Sequence, residues 1–214
     1  MQKYSVFSLI KNAFSNHQNW EVAWKDPTPK SEYDVVIIGG GGHGLATAYY
    51  LAKEHNIRNV AIIEKGWIGG GNVGRNTTII RSNFMYDANA RFNEFGMDLW
   101  RNLSQELNFN VMFSPRGIIN LAHSDAQMNA YARRGNSMRL NGIDAKLLDR
   151  DEVKKLIPMA DFSDEVRFPI FGGLMQPSAG TARHDAVAWG YARQADDMGV
   201  DIIQHCEVTG FDVV

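Results

Sequence analysis

Tyr33-Asp-Val-Val-Ile-Ile-Gly-Gly-Gly-Gly-His-Gly-Leu-Ala-Thr-Ala-Tyr-Tyr-Leu-Ala52 is the stretch that decides the fold. Val35 to Ile38 is a short continuous apolar run, as expected for a strand buried in a parallel sheet. Gly39-x-Gly41-x-x-Gly44 follows, then a helix predicted over Leu45–His55 and a second strand over Val60–Glu64. That order is a βαβ unit, and in one that holds a dinucleotide each glycine has a task. Gly39 permits the tight turn out of the strand. Gly41 lets the backbone approach a pyrophosphate, and Gly44 lets the helix pack close to the sheet. The helix N-terminus then offers unpaired N–H groups and a partial positive charge to the phosphates. Glu64, twenty residues after Gly44, ends the second strand, where a carboxylate accepts from both ribose hydroxyls of an adenosine. His43 fills a variable position of the loop and reads as a solvent-side neighbour of the phosphates.

Outward from this unit the chain alternates helix and strand patterns. A glycine-rich loop runs from Gly66 to Gly74, followed by a polar segment to Ser82. Phe92, Phe95, Leu99, Trp100 and Leu103 recur at helical spacing within a helix predicted over Asn89–Glu106. Val111–Phe113 and Gly117–Ala122 read as strands joined by a turn, and Asp125–Leu140 as a helix. Asp149 is placed to cap a short helix over Arg150–Ile157, which Pro158 stops. Arg167–Met175 reads as a strand, His184–Met198 as a helix ended by Gly199, and Val200–Gln204 and Glu207–Val214 as two more strands.

Before Tyr33, residues 1–31 form an extension closed by Pro27 and Pro29, which favour an extended linker. Tyr4–Phe14 is partly apolar, with Val6, Ile10 and Phe14 on one helical face. Ser5, Ser8, Lys11 and Asn12 make it too polar for a signal segment or a membrane span, which leaves a short amphipathic helix or a packing tail. The net charge of −2 gives no basic field for nucleic acid or an anionic membrane. Hydrophobic residues at 44% and charged residues at 21% are ordinary for a globular protein. A single cysteine, Cys206, excludes an intramolecular disulfide and a cysteine-based metal site and fits a reducing, cytoplasmic setting.

The glycine loop alone serves NAD and FAD equally. Gly66-Trp-Ile-Gly-Gly-Gly-Asn72 and Arg75-Asn-Thr-Thr78 resemble the segment that follows the second strand in flavin-dependent amine oxidases. Arg75 would bring a planar cation to phosphate oxygens, with Thr77 and Thr78 as small donors. Ile80 would wall the flavin ring or sit in the core. Taken with Arg75-Asn-Thr-Thr-Ile-Ile-Arg-Ser-Asn83, Phe113-Ser-x-Arg-Gly117 and Arg183-His-Asp-Ala-Val-Ala-Trp189, the chain resembles the FAD-dependent amine oxidase and D-amino acid oxidase superfamily. Within it, the resemblance is strongest to the beta subunits of heterotetrameric sarcosine oxidases, from about Trp24 onward.

The resemblance implies an α/β flavoprotein in which a Rossmann-like FAD-binding domain interleaves with an antiparallel-sheet substrate domain. FAD-binding parts would fall at 32–85 and 178–214, and a partial substrate region at 86–177. It implies FAD at Gly39, Gly41, His43, Gly44, Glu64, Asn72, Arg75, Thr77, Thr78, Ile80 and Val208, the last through its backbone beside the adenine. It implies an FMN joined covalently to His184, with Arg183 beside it. The activity implied is oxidation of sarcosine to glycine with electrons passing from FAD to FMN and then to oxygen, giving hydrogen peroxide. Alpha, gamma and delta subunits and tetrahydrofolate would be partners. Such subunits run to about twice this length, so the expectation is an N-terminal part, poorly stable and inactive alone. No residue is assigned as catalytic base or substrate clamp. An FAD-only enzyme with a structural His184, and a non-catalytic FAD-binding piece, are the competing readings.

Overall fold

The structure is a computed structural model that describes residues 5–18 and 22–213. The chain divides into two compact units. The first comprises Met1–Thr77, Ser104–Val111 and Arg183–Val214; the second, Thr78–Leu103 and Met112–Ala182.

The first unit is built on a parallel sheet in the order β1 (Val35–Ile38), β2 (Val60–Ile63), β8 (Asp201–Ile203). Val35 pairs with Val60 and Ala61 with Asp201, in register along both ladders. The central strand β2 is apolar because its neighbours cover it, and Val60, Ala61 and Ile62 are fully buried. On β1 the pattern alternates instead, leaving Val36 50% and Ile38 64% exposed. Helices α2 (Gly42–His55) and α6 (His184–Asp197) pack against each other, and both bury small residues, among them Ala48 and Ala52 on α2 and Ala188, Ala192 and Ala195 on α6. Tyr49 and Tyr191 meet edge to face across that contact, with centroids 5.5 Å apart.

The N-terminal extension carries α1 (Val6–Phe14), capped by Ser5, whose Oγ accepts from the Ser8 amide at 3.1 Å. None of its residues is buried. Tyr4, where the sequence pattern starts this helix, lies outside the described residues. The linker beyond is tied down at two carboxylates. The Lys25 amide donates to Asp196 at 3.0 Å, and Asp201 takes both Lys30 Nζ at 2.8 Å and the Tyr33 hydroxyl at 3.0 Å.

The second unit centres on an antiparallel sheet in the order β4 (Ile118–Ala122), β6 (Gly172–Gln176), β5 (Lys146–Asp149). A two-stranded ladder joins β3 (Ile79–Ile80) to β7 (Gly180–Thr181). Helices α3 (Asp87–Glu106), α4 (Asp125–Leu140) and α5 (Arg150–Leu156) complete the helix set; the last turn of α3 is counted with the first unit. Ala90, Met138, Ile143 and Leu174 form one core cluster; Leu148, Val153 and Ile170 form another. Asp149 caps α5 as expected, in a reciprocal box with Glu152 at 2.8 and 2.9 Å.

Four expectations need correction. Val111–Phe113 is not a strand: Met112 has φ +54°, which breaks an extended ladder, and only Ser114 bridges to Thr181. The strand expected over Arg167–Met175 begins only at Gly172. Gly172 and Gly173 sit between two neighbouring strands, where an added Cβ would lie 2.5 Å from Leu148 O and 2.9 Å from Asn120 O. Residues 207–213 make no ladder, because no neighbouring strand is present for them among the described residues; Val214 lies outside these. Finally, α2 starts at Gly42, three residues before the expected Leu45, so the glycines of the loop are themselves its first turn.

Candidate functional site

The turn after β1 is held shut by its own backbone. Gly39 leaves the strand at φ +109° and donates to Ile63 O at 2.8 Å. An added Cβ on Gly44 would lie 2.1 Å from Gly39 O, so the start of α2 touches the turn through bare backbone. Gly41 differs. Its φ of −83° is ordinary, and a Cβ there would meet nothing nearer than Val73 Cγ2 at 3.8 Å. The protein has room for a side chain at Gly41, so its own packing does not require a glycine there. Gly41 is also the N-cap of α2 and supplies no side-chain cap, which leaves the first-turn amides unclaimed by side chains.

Glu64 stands under this loop. One carboxylate oxygen accepts from the Gly40 amide at 2.7 Å and the other from the Gly66 amide at 2.8 Å. The carboxylate therefore fixes the first and second glycine loops together, and each oxygen keeps a lone pair for another donor. The Gly69 amide adds a bond to Gly40 O at 3.0 Å. Asn72 and Arg75 bound a short 3-10 turn whose Val73 faces Gly41 and Gly42. Asn72, Arg75, Thr77 and His43 are all exposed. The segment after β8 runs along the second loop: Gln204 accepts from the Ile68 amide at 2.9 Å, and the His205 amide donates to Gly66 O at 2.9 Å. Val208 is half-buried beyond it.

His184 is the first residue of α6, half-buried, with Nδ1 buried and without a partner. Arg183 before it is exposed, and its guanidinium grips Asp185 through Nε–Oδ1 at 2.9 Å and Nη2–Oδ2 at 2.5 Å. That grip holds the Asp185 carboxyl at about 2, well below the usual carboxylate range.

In the second unit, Thr78 has φ +60°, and its carbonyl accepts from the Ala182 amide at 3.1 Å. Ile80 pairs with Gly180 and, with Ile79, walls a cavity of about 320 Å³. Phe92, Phe95, Leu99 and Trp100 line it from α3, and Arg81 is its cation. Arg81 has no assigned role in the sequence, where it is one residue of the run to Asn83.

The model of the family described as FAD dependent oxidoreductase matches residues 34–214. The chain belongs to the FAD dependent oxidoreductase family. Among curated relatives, the sarcosine oxidase subunit beta of Rhizobium meliloti (strain 1021) is 62% identical over 208 residues, covering 97% of this chain and 50% of the relative. The subunit of the same description from Rhodobacter capsulatus is 53% identical over 98% of this chain and 50% of its own length. The crystal structure of L-proline dehydrogenase from P. horikoshii superposes with a TM-score of 0.78 at 28% identity, over 87% of this chain and 47% of that one. The chain spans about half the length of the curated relatives it matches.

The first unit's residues fit the group that the FAD dependent oxidoreductase family is described by. The bare approach at Gly44, the vacant Cβ direction at Gly41, the uncapped start of α2 and a carboxylate bound to both glycine loops are what a dinucleotide requires of its cradle. No helix among the described residues is long and apolar enough to cross a membrane, and no group of His, Cys, Asp and Glu among them would hold a metal ion.

Proposed function

We propose that this chain is the FAD-holding part of a sarcosine oxidase beta subunit, acting in the cytoplasm with alpha, gamma and delta subunits on sarcosine, with tetrahydrofolate as a partner of the complex. FAD held by the glycine loop would supply amine oxidation, and an FMN held by His184 would supply electron transfer to oxygen with hydrogen peroxide as product. The observation that carries the reading is the cradle of Gly39, Gly41, Gly44 and Glu64 within a chain 62% identical to such a subunit over nearly its whole length.

Each residue has a bounded task in this reading. The first-turn amides of α2 take the diphosphate, Glu64 takes the ribose, and Arg75 and Thr77, exposed beside the loop, add donors. Asn72, His43, Thr78 and Ile80 flank the cofactor, and Val208 offers its backbone to the adenine. His184 would carry the covalent flavin, and with Nδ1 buried the nitrogen left for it is Nε2. Arg183 spends its fork on Asp185, so it contributes to the flavin site as a paired rather than a free cation. Arg81, the cation of the aromatic cavity, anchors the carboxylate of the amine substrate.

The test is direct. The complex is purified and denatured, and flavin fluorescence is sought on this chain; it should persist in the parent and vanish in His184→Ala, with extractable FAD retained in both. The pairing of Arg183 with Asp185 favours a second reading, an FAD-only amine dehydrogenase in which His184 is structural. In that case the denatured parent chain carries no flavin.

A further inference from the structure

The cavity's arginine is held by a buried polar frame. Asn83 is completely buried, and every polar group of its side chain is committed. Its Oδ1 accepts from Arg81 Nη1, and its Nδ2 donates to Asn120 Oδ1 at 2.7 Å. A guanidinium only donates, so the atom of Asn83 facing Arg81 must be the oxygen, and this sends Nδ2 to Asn120. Its backbone carbonyl accepts from both Nε and Nη2 of Arg134, with Nε at 2.6 Å. The residue before it is fixed as well. Ser82 is fully buried, its amide donates to Gln176 Oε1 at 3.0 Å, and its hydroxyl donates to Glu94 at 2.6 Å. The Phe84 ring covers the Arg81 guanidinium at 4.8 Å.

Charge makes this frame unusual. Among the described residues neither Arg81 nor Arg134 has an ion-pair partner, and Glu94, the acid close to them in the network, is already engaged by Ser82 and Arg101. Two guanidiniums bonded to the two ends of one asparagine leave a net positive site, half out of water, beside an apolar cavity. Such an arrangement is costly without an anion to meet it. A neutral amide is the side chain that can orient Arg81 without cancelling its charge.

We propose that Asn83 is a positioning residue that, braced by Asn120 and Arg134, aims Arg81 into the cavity as a fixed anchor for a small carboxylate. The proposal rests on the amine-acid substrate of the reading above. It adds that carboxylate selectivity is set by an asparagine that never touches the substrate. Asparagine at this position keeps the anchor charged; an acid of the same shape would supply a built-in competitor.

The test uses the complete flavin-loaded complex and dissociation constants read from perturbation of the flavin spectrum. Methoxyacetate is the carboxylate probe, and N-ethylmethylamine is the amine that lacks the carboxylate. Asn83→Asp and Asn83→Ala are each expected to weaken methoxyacetate binding by about ten-fold or more while leaving N-ethylmethylamine unchanged. Equal shifts for both probes, or none for either, overturn the proposal. Arg81→Gln separates the levels. If it too leaves methoxyacetate binding unchanged, the carboxylate reading of the cavity fails; if it abolishes binding while the Asn83 variants do not, only the positioning role fails. Should Asn83→Ala not fold, the near-isosteric Asn83→Asp decides.

Discussion

Two alanine substitutions three residues apart should separate what the glycine loop does for the protein from what it does for the ligand. In Gly44→Ala the new Cβ would start 2.1 Å from Gly39 O and 3.2 Å from Ile37 Cγ2. Real Cβ atoms keep at least 3.0 Å from such neighbours, so the start of α2 must retreat by roughly an ångström. Backbone on both sides leaves no flexible side chain to absorb the shift. Overpacking of this kind costs about 2–3 kcal/mol, some 5–10 °C in melting temperature for a chain of this size. In Gly41→Ala the Cβ meets only Val73 Cγ2 at 3.8 Å, and φ is −83°. Stability should hold to within about 1 kcal/mol or rise slightly, since the unfolded chain loses freedom. FAD binding should nonetheless fall by about ten-fold or more, because the methyl stands where a diphosphate would approach the amides. Melting curves without added flavin and FAD titration of both variants provide the readout. A Gly44→Ala protein that melts like the parent would remove the close approach from the argument, and a Gly41→Ala protein with parental FAD affinity would remove the diphosphate.

Three further outcomes are expected. Glu64→Ala leaves the Gly40 and Gly66 amides without their acceptor and should destabilise the loops by about 1–3 kcal/mol while abolishing FAD retention, measured by melting and by flavin content after gel filtration. The Asp185 carboxyl is held at about 2 by the Arg183 guanidinium, below its unfolded value of about 3.9. A depressed carboxylate stabilises above the unfolded value and loses that contribution as pH falls through the folded one. Between about pH 4 and pH 2 the parent should therefore lose stability more steeply than Asp185→Asn, and equal slopes in urea unfolding would count against the pair. Arg193 is 2% exposed, donates to Asn108 O at 2.8 Å and also to Leu107 O, and lies 3.8 Å from Asp197. Arg193→Met should cost about 2 kcal/mol in urea unfolding, since it strips the Asn108 carbonyl of its donor while Leu107 O keeps Gln194 Nε2 at 2.8 Å; a loss under about 1 kcal/mol would mean that water replaces it.

The parts of this molecule that were legible in the sequence are those whose physics is local. Val35–Ile38 and Val60–Ile63 announce themselves as parallel strands, although only the second is buried, and Asp149 with Glu152 as a capping box, because each signal sits within a few residues. Propensity misled where a residue type serves a contact across the chain. Gly42 and Gly44 read as loop, yet they are helix; for Gly44, closeness to Gly39 outweighs its cost in a first turn. Gly172 and Gly173 lie in a central strand for the same reason, pressed by strands on both sides. Lys146–Asp149 escaped notice because only Leu148 of the four is buried, so no alternation betrays it. The Arg81 frame was out of reach altogether. Asn83 finds Asn120 thirty-seven positions away, and Ser82 finds Gln176 ninety-four away. Nothing in the run Ile-Ile-Arg-Ser-Asn says that its arginine will be oriented, buried on one side and left without an acid. The cofactor cradle is thus encoded as a motif, whereas the proposed anion site is encoded as a packing outcome, and only the second depends on the whole of the antiparallel unit folding correctly. Sequence divergence among relatives that share the glycine loop should accordingly disturb the Arg81 frame long before it disturbs the loop.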